Sequence, residues 1–273
     1  MSPAPEWLGV TRGEVPVIIS MPHAGSRIPP QIEAQLSSPW LARKDTDWWI
    51  PELYDFAAGL GATVVRTRLS RTVIDVNRDP SGASLYPGQA TTELCPTTTF
   101  DGEPLYLDAG PDAQEIARRR TAYFVPYHQA LRAEINRLRQ AHRKVVLYEA
   151  HSIRSRIPRL FEGELANFNI GANGGQSCAA ALAAAVEAAC ADPAFTRVTD
   201  GRFKGGWTTR HYGAPRDGVH AIQMELACRG YMDEPAAAPT PDTWPSAYSD
   251  ARAAPMRAVL TRVIASCIAF AIA

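Results

Sequence analysis

The chain has 273 residues, with 28 Lys and Arg balanced by 28 Asp and Glu, 46% apolar residues and 21% charged ones. That supplies a sizeable core for one large or two small domains, taken here as a single domain over 1–273. With no net charge there is no basic field to hold nucleic acid or an anionic membrane, so the expected partner is a small molecule; oligomeric state is left open.

The opening "MSPAPEWLGVTRGEVPV" lacks the basic and apolar regions of a signal peptide. "VPVIISMP" (15–22) reads as a buried strand, "DWWIPELYDFAAGL" (47–60) as a helix closed by Gly59 and Gly61, and "ATVVRT" (62–67) and "RTVIDVN" (71–77) as two further strands. The stretch 79–111 is rich in Pro, Gly and Thr and longer than an ordinary connection, which makes it a candidate functional loop. From Pro111 to His142 an amphipathic pattern predicts a long helix bent near Pro126. The strand "KVVLYEA", a small-residue helix in "GGQSCAAALAAAVEAACA" and the strand "VHAIQMELA" (219–227) follow. The tail is too short and too interrupted, by Arg262, for a membrane span and reads as a closing helix with Pro255 in its first turn. Five scattered cysteines without a CxxC pair point to reduced thiols in a cytoplasm and away from a cysteine metal site. Strand–helix alternation of this kind predicts an α/β fold with a largely parallel sheet covered on both faces. Ligands of such sheets bind beyond the carboxyl ends of the strands.

Chemistry-bearing residues stand at those ends. His23 follows the first strand in "SMPHAGSRIPP", either as a structural histidine or as a metal ligand or general base. "VVLYEAHSIRS" ends in Glu149 and His151, two positions apart and therefore on one face, as an internal ion pair or part of a site. Two strand-end histidines in one sheet suit a metal centre, and a hydrolytic one needs a third protein ligand. Asp45 and Asp47 are available; either can cap the following helix, and if Asp45 does so, Asp47 is free to reach a metal. Glu225 shares a strand face with Gln223, opposite Ile222, Met224 and Leu226, and reads as an arginine partner or a general base. Arg71, Asn77 and Arg78 flank one predicted strand, and Arg210 follows a Gly-Gly turn; arginines so placed can grip a carboxylate with two hydrogen bonds. No GxGxxG, P-loop, HExxH or GxSxG occurs, which leaves metal-assisted hydrolysis.

"PHAGSRIP", "DTDWWIPELYDFA", "SRTVIDVNRDP", "YEAHSIRSRIPRLFEG", "FNIG", "FKGGWTTRHYG" and "HAIQMELACRGYM" together resemble the N-formylglutamate amidohydrolases (deformylases) of histidine degradation, from about residue 15 to residue 234. The resemblance implies a three-layer α/β/α fold with a mixed, largely parallel central sheet, zinc carboxypeptidase-like, and one Zn2+ per chain, with another divalent ion as the alternative. It implies release of formate and L-glutamate from N-formyl-L-glutamate. It makes His23 and His151 similar to the two histidine ligands of zinc carboxypeptidases, and Glu225 similar to their glutamate base. "HAGSRI" departs from the carboxypeptidase pattern in having no acid three residues after His23, so the third ligand comes from elsewhere and is taken as Asp47. "NRD" at 77–79 looks like the asparagine–arginine pair that binds a terminal carboxylate, which favours Arg78, with Arg71 or Arg210 for a second carboxylate or the oxyanion. Glu149 is then a residue that orients His151 or a bound water. An acyl pocket crowded by Trp207 or Tyr212 would select formyl. The rivals are a deacylase for another N-acyl acidic amino acid and a non-catalytic binder of acidic amino acids.

Overall fold

The computed structural model describes residues 5–84, 88 and 91–273. Seven strands form one mixed sheet in the order β1-β3-β2-β4-β7-β5-β6. They are β1 (Leu8–Thr11), β2 (Val17–Met21), β3 (Thr63–Thr67), β4 (Val145–Ile153), β5 (Phe168–Gly171), β6 (Arg197–Thr199) and β7 (Val219–Ala227). The core quartet β3-β2-β4-β7 is parallel, whereas β1 joins β3 and β5 joins β7 antiparallel. All nine residues of β4 are buried, as befits a central strand covered on both faces.

The period of two sorts the strands between two cores. Ile18, Val65, Leu147 and Ala221 pack with Tyr127, Leu131, Ile135 and Leu138 of the long helix on one face. Val17, Ile19, Val146, Tyr148 and Met224 pack on the other, against Leu182 and Val186 of a small-residue helix and Val259, Val263 and Cys267 of the last helix. The first layer is α1 (Ala113–Arg119), a π turn (Arg120–Phe124) and α2 (Val125–Ala141). Asp112 caps α1 by accepting from the Glu115 amide at 2.8 Å. The irregularity expected near Pro126 is this π turn, which accommodates a ring without an N–H just inside α2. The opposite layer holds α3 (Ala180–Ala189) and, after the short α4 (Trp207–Tyr212), the closing helix α5 (Asp250–Ile272).

Several expectations require correction. The segment 71–77 is buried but is a series of turns: the Asp75 amide donates to Leu94 O at 2.7 Å and Val73 to Ser70 O at 3.0 Å, so no ladder forms. Residues 47–60 contain two short helices, Ile50–Leu53 and Phe56–Gly59, preceded by Trp49 in the left-handed region at φ 62°. α5 begins five residues earlier than expected because Ser249 accepts from the Arg252 amide at 3.3 Å, and Pro255 lies inside it. By length and composition α5 could cross a membrane; here its apolar side packs on the sheet. The predicted loop 79–111 falls partly outside the described residues, at 85–87 and 89–90.

Candidate active site

The site lies at the carboxyl ends of β2, β4 and β7, on the α2 face of the sheet. His23 follows β2, and the Asp47 amide donates to His23 O at 3.0 Å, which ties the loop carrying Asp47 to that strand end. Asp47 Oδ2 then lies 3.0 Å from His151 Nδ1 and 3.7 Å from His23 Nδ1. The two imidazole centroids are 4.8 Å apart. One ligand atom from each of His23, Asp47 and His151 lies within 4.8 Å of the others. Asp45 turns away: its Oδ2 accepts from the Phe100 amide at 2.7 Å and its Oδ1 meets Arg154 Nη2 at 3.4 Å.

Two carboxylates support the histidines from behind. Asp75 Oδ1 is 2.6 Å from His23 Nε2, and its other oxygen accepts from Arg71 Nη2 at 2.7 Å. Glu149 Oε2 is 3.4 Å from His151 Nε2, and neither of its buried oxygens has a hydrogen-bond partner among the described residues. Burial, with the Arg71 charge, lowers the His23 pKa to about 4 against the pull of Asp75 and Asp47. For His151 burial acts in the same downward sense, but the Asp47 and Glu149 carboxylates beside its two nitrogens and the charge of Glu225 together push it up to about 10. Asp75 is held well below the usual carboxylate range, since His23, Arg78 and Arg71 outweigh its burial.

Parallel pairing of β4 with β7 sets Gln223 beside Glu149 and Glu225 beside His151. Gln223 Nε2 donates to Glu225 Oε2 at 3.1 Å and its Oε1 accepts from the Gly206 amide at 2.7 Å. Burial raises the Glu225 carboxyl to about 7, although the His151 charge opposes the shift. Asn77 Nδ2 is 3.1 Å from His151 Nε2, and its Oδ1 accepts from the Thr208 amide at 2.9 Å. A Cβ at position 206 would collide with the Asn77 amide, so glycine is what lets this loop close on the site.

His23, Asn77, His151, Gln223 and Glu225 open on a cavity of about 70 Å³ lined also by Arg71, Arg78, Phe100, Leu160, Arg202 and Phe203. Arg71 lies under the Phe100 ring, its Cζ 4.7 Å from the centroid. Arg78 donates to Thr92 O and Oγ1, each at 3.1 Å, with its Nε 3.5 Å from Asp75. Arg210 is not among the described residues lining this cavity; its Nε donates to Gly205 O at 3.0 Å. Trp207 and Tyr212, the first and last residues of α4, are not among them either, and pack around His128. Sequence reasoning missed Asp75, hidden inside an apolar run, and Arg202, whose neighbours carry no recognisable spacing.

A three-layer α/β protein with a buried His–Asp–His cluster, a glutamate in register beside it and an arginine-lined cavity has the parts of a metal-dependent hydrolase. The chain belongs to the N-formylglutamate amidohydrolase family, which it matches over residues 15–232. It is 46% identical over 267 residues to the N-formylglutamate deformylase of Pseudomonas aeruginosa, covering 97% of each chain. It is 43% identical over 265 residues to that of Pseudomonas putida, covering 96% of each. The fold is shared with the crystal structure of N-formylglutamate amidohydrolase from Ralstonia eutropha, at a TM-score of 0.77 and 21% identity over 95% of this chain and 96% of the other.

Proposed function

We propose that this protein hydrolyses N-formyl-L-glutamate to formate and L-glutamate, using a zinc ion held by His23, Asp47 and His151. The observation that carries the reading is the register that sets Glu225 beside His151, at the edge of a compact cluster of two imidazoles and a carboxylate. Family membership and the names of the two Pseudomonas relatives support the substrate. The donor set suits zinc: Asp47 Oδ1 is buried with no hydrogen-bond partner among the described residues, and Asp75 holds the far nitrogen of His23. When bound, zinc supplies Lewis acidity, polarising a carbonyl and acidifying a water.

The remaining work falls to the chain. Glu225 receives the proton that the attacking water gives up and passes it to the amine nitrogen as the C–N bond breaks. Gln223 fixes one oxygen of Glu225, which lines the cavity. Arg71, anchored on Asp75, provides a fixed positive charge for the oxyanion. Arg78 grips the carboxylate next to the scissile amide, because it follows Asn77, which touches His151. Phe100, Leu160 and Phe203 shield the cavity from water. The five buried, unpaired cysteines support a reducing, cytoplasmic setting.

The test is a hydrolysis screen of the purified protein on N-formyl, N-acetyl and N-succinyl derivatives of glutamate and aspartate, with metal content measured on the same samples. N-formyl-L-glutamate should be the preferred substrate and turnover should follow zinc occupancy. Faster turnover of an acetyl or succinyl compound would reassign the acyl group, and no turnover by metal-loaded protein would reject the activity.

A further inference from the structure

N-formyl-L-glutamate carries two carboxylates, and enclosing both in a small cavity requires a cationic partner for each. Arg78 is suited to the one bonded to the same carbon as the amide nitrogen, through its place beside Asn77 and Asp75. The other lies two methylenes further from the reacting bond. Arg71 is poorly placed for it, since its Nη2 is bonded to Asp75 at 2.7 Å and its Nη1 lies 3.9 Å from Asp47, within the catalytic cluster. Arg210 does not line the cavity among the described residues.

Arg202 does line it, with Leu160 and Phe203, which pack on the apolar cluster of Phe100, Ile153, Ile157, Leu165 and Ala227. Its Nε donates to Leu160 O at 2.9 Å, and its Cζ lies 5.2 Å from the Phe203 ring centroid. Phe203 in turn meets Phe161 edge to face at 6.2 Å. The loop that carries Arg202 is itself braced. Asp200 accepts from the Ala172 and Gly174 amides at 2.8 and 3.0 Å, and the Gly206 amide bonds Gln223. A cation fixed on a short, doubly anchored loop at an apolar wall is a suitable receptor for a carboxylate at the end of two methylenes.

We propose that Arg202 determines specificity by binding the side-chain carboxylate of the substrate, while Phe100, Leu160 and Phe203 pack its methylenes. The assignment rests on the N-formylglutamate reading above.

The experiment compares wild type, Arg202→Gln and Arg202→Lys on N-formyl-L-glutamate and on N-formyl-L-glutamine, which lacks the distal charge. Arg202→Gln should lower kcat/KM for the glutamate compound roughly 10–100-fold, chiefly through KM, the range for losing a charged hydrogen bond. Turnover of the glutamine compound should change little, and lysine should restore only part of the loss because it lacks the planar fork. Equal losses on both compounds, or none on either, would overturn the assignment. A second arm measures calorimetric binding of glutarate and butyrate to the same proteins. Wild type should prefer glutarate, and Arg202→Gln should lose that preference. If wild type shows no such preference, or the variant keeps it, the assignment falls. This arm stands apart from catalysis: a wild type that hydrolyses neither formyl compound yet shows Arg202-dependent glutarate binding would refute the proposed reaction and keep the carboxylate site.

Discussion

Asp75 Oδ1 lies 2.6 Å from His23 Nε2, which leaves Nδ1 as the nitrogen turned towards Asp47, 3.7 Å from its Oδ2. The same carboxylate anchors Arg71, so one buried residue orients both the His23 imidazole and a cavity cation. Asp75→Asn keeps the volume and removes the charge. Supporting carboxylates of this kind are worth about 10–100-fold in metal affinity. The expected result is a fall of that order in zinc affinity, measured by chelator competition, in a protein that still folds. Unchanged affinity would show that Asp75 does not tune the histidine.

The two aspartates before the helix Ile50–Leu53 should behave differently. Asp47 reaches both imidazoles, whereas Asp45 accepts from the Phe100 amide and meets Arg154. Asp47→Ala should empty the site of zinc. Asp45→Ala should keep zinc and instead loosen the Phe100 loop, read as a raised KM and faster proteolysis near residue 100. The reverse pattern of zinc contents would move the third ligand to Asp45.

What was legible followed from how far each signal depends on distant parts of the chain. β2 and the first half of β4 are apolar runs because both faces are buried, whereas β3 alternates buried and half-buried positions and β7 carries His220, Gln223 and Glu225 among its buried apolar residues. The run Val73, Ile74 and Val76 looks the same in sequence because all three are buried, yet its backbone bonds go to loops, which periodicity does not report. β1, β5 and β6 have four, four and three residues, too few for alternation to stand out, and β5 carries Asn169 at its second position. Polar residues ending buried strands drew attention to His23, His151 and Glu225, and the register of β4 with β7 brings the last two side by side. Asp75 and Arg202 reach the site only through tertiary approach of turns, for which no local spacing exists.

Glu225 is the next test. Its carboxyl is buried, bonded to Gln223 and beside His151 in the sheet. Glu225→Gln preserves shape and removes the proton acceptor, so zinc content and substrate binding should persist while kcat falls by roughly 10²–10⁴-fold. A purely structural ion pair predicts lower stability with normal turnover per folded, zinc-loaded molecule. Near-normal kcat on that basis would shift the base role to Glu149.

A pH dependence independent of the His23–Asp47–His151 cluster is expected from His128 on α2. Its Nε2 is 2.8 Å from Val76 O and therefore carries the proton, while Nδ1 lies 3.0 Å from Tyr212 Oη. The rings of Phe124 and Trp207 pack against it at 4.3 and 4.8 Å. Burial lowers its pKa from 6.5 to about 3; the Val76 carbonyl opposes this, and the His211 and Arg132 charges add to it. Between those values the unfolded chain binds a proton that the folded protein refuses, so stability rises with pH through this window. The neutral imidazole's contribution is fully present above pH 6.5 and is lost as pH falls towards 3. His128→Gln removes the titration while retaining a polar side chain. The variant should be less stable than wild type at pH 7.5, and the gap in urea-unfolding free energy should shrink by a few kcal/mol as the pH is lowered through this window. His23, also buried with a lowered pKa, remains in both proteins, so the difference isolates His128. A gap that stays constant with pH would mean that folding leaves the His128 pKa unshifted.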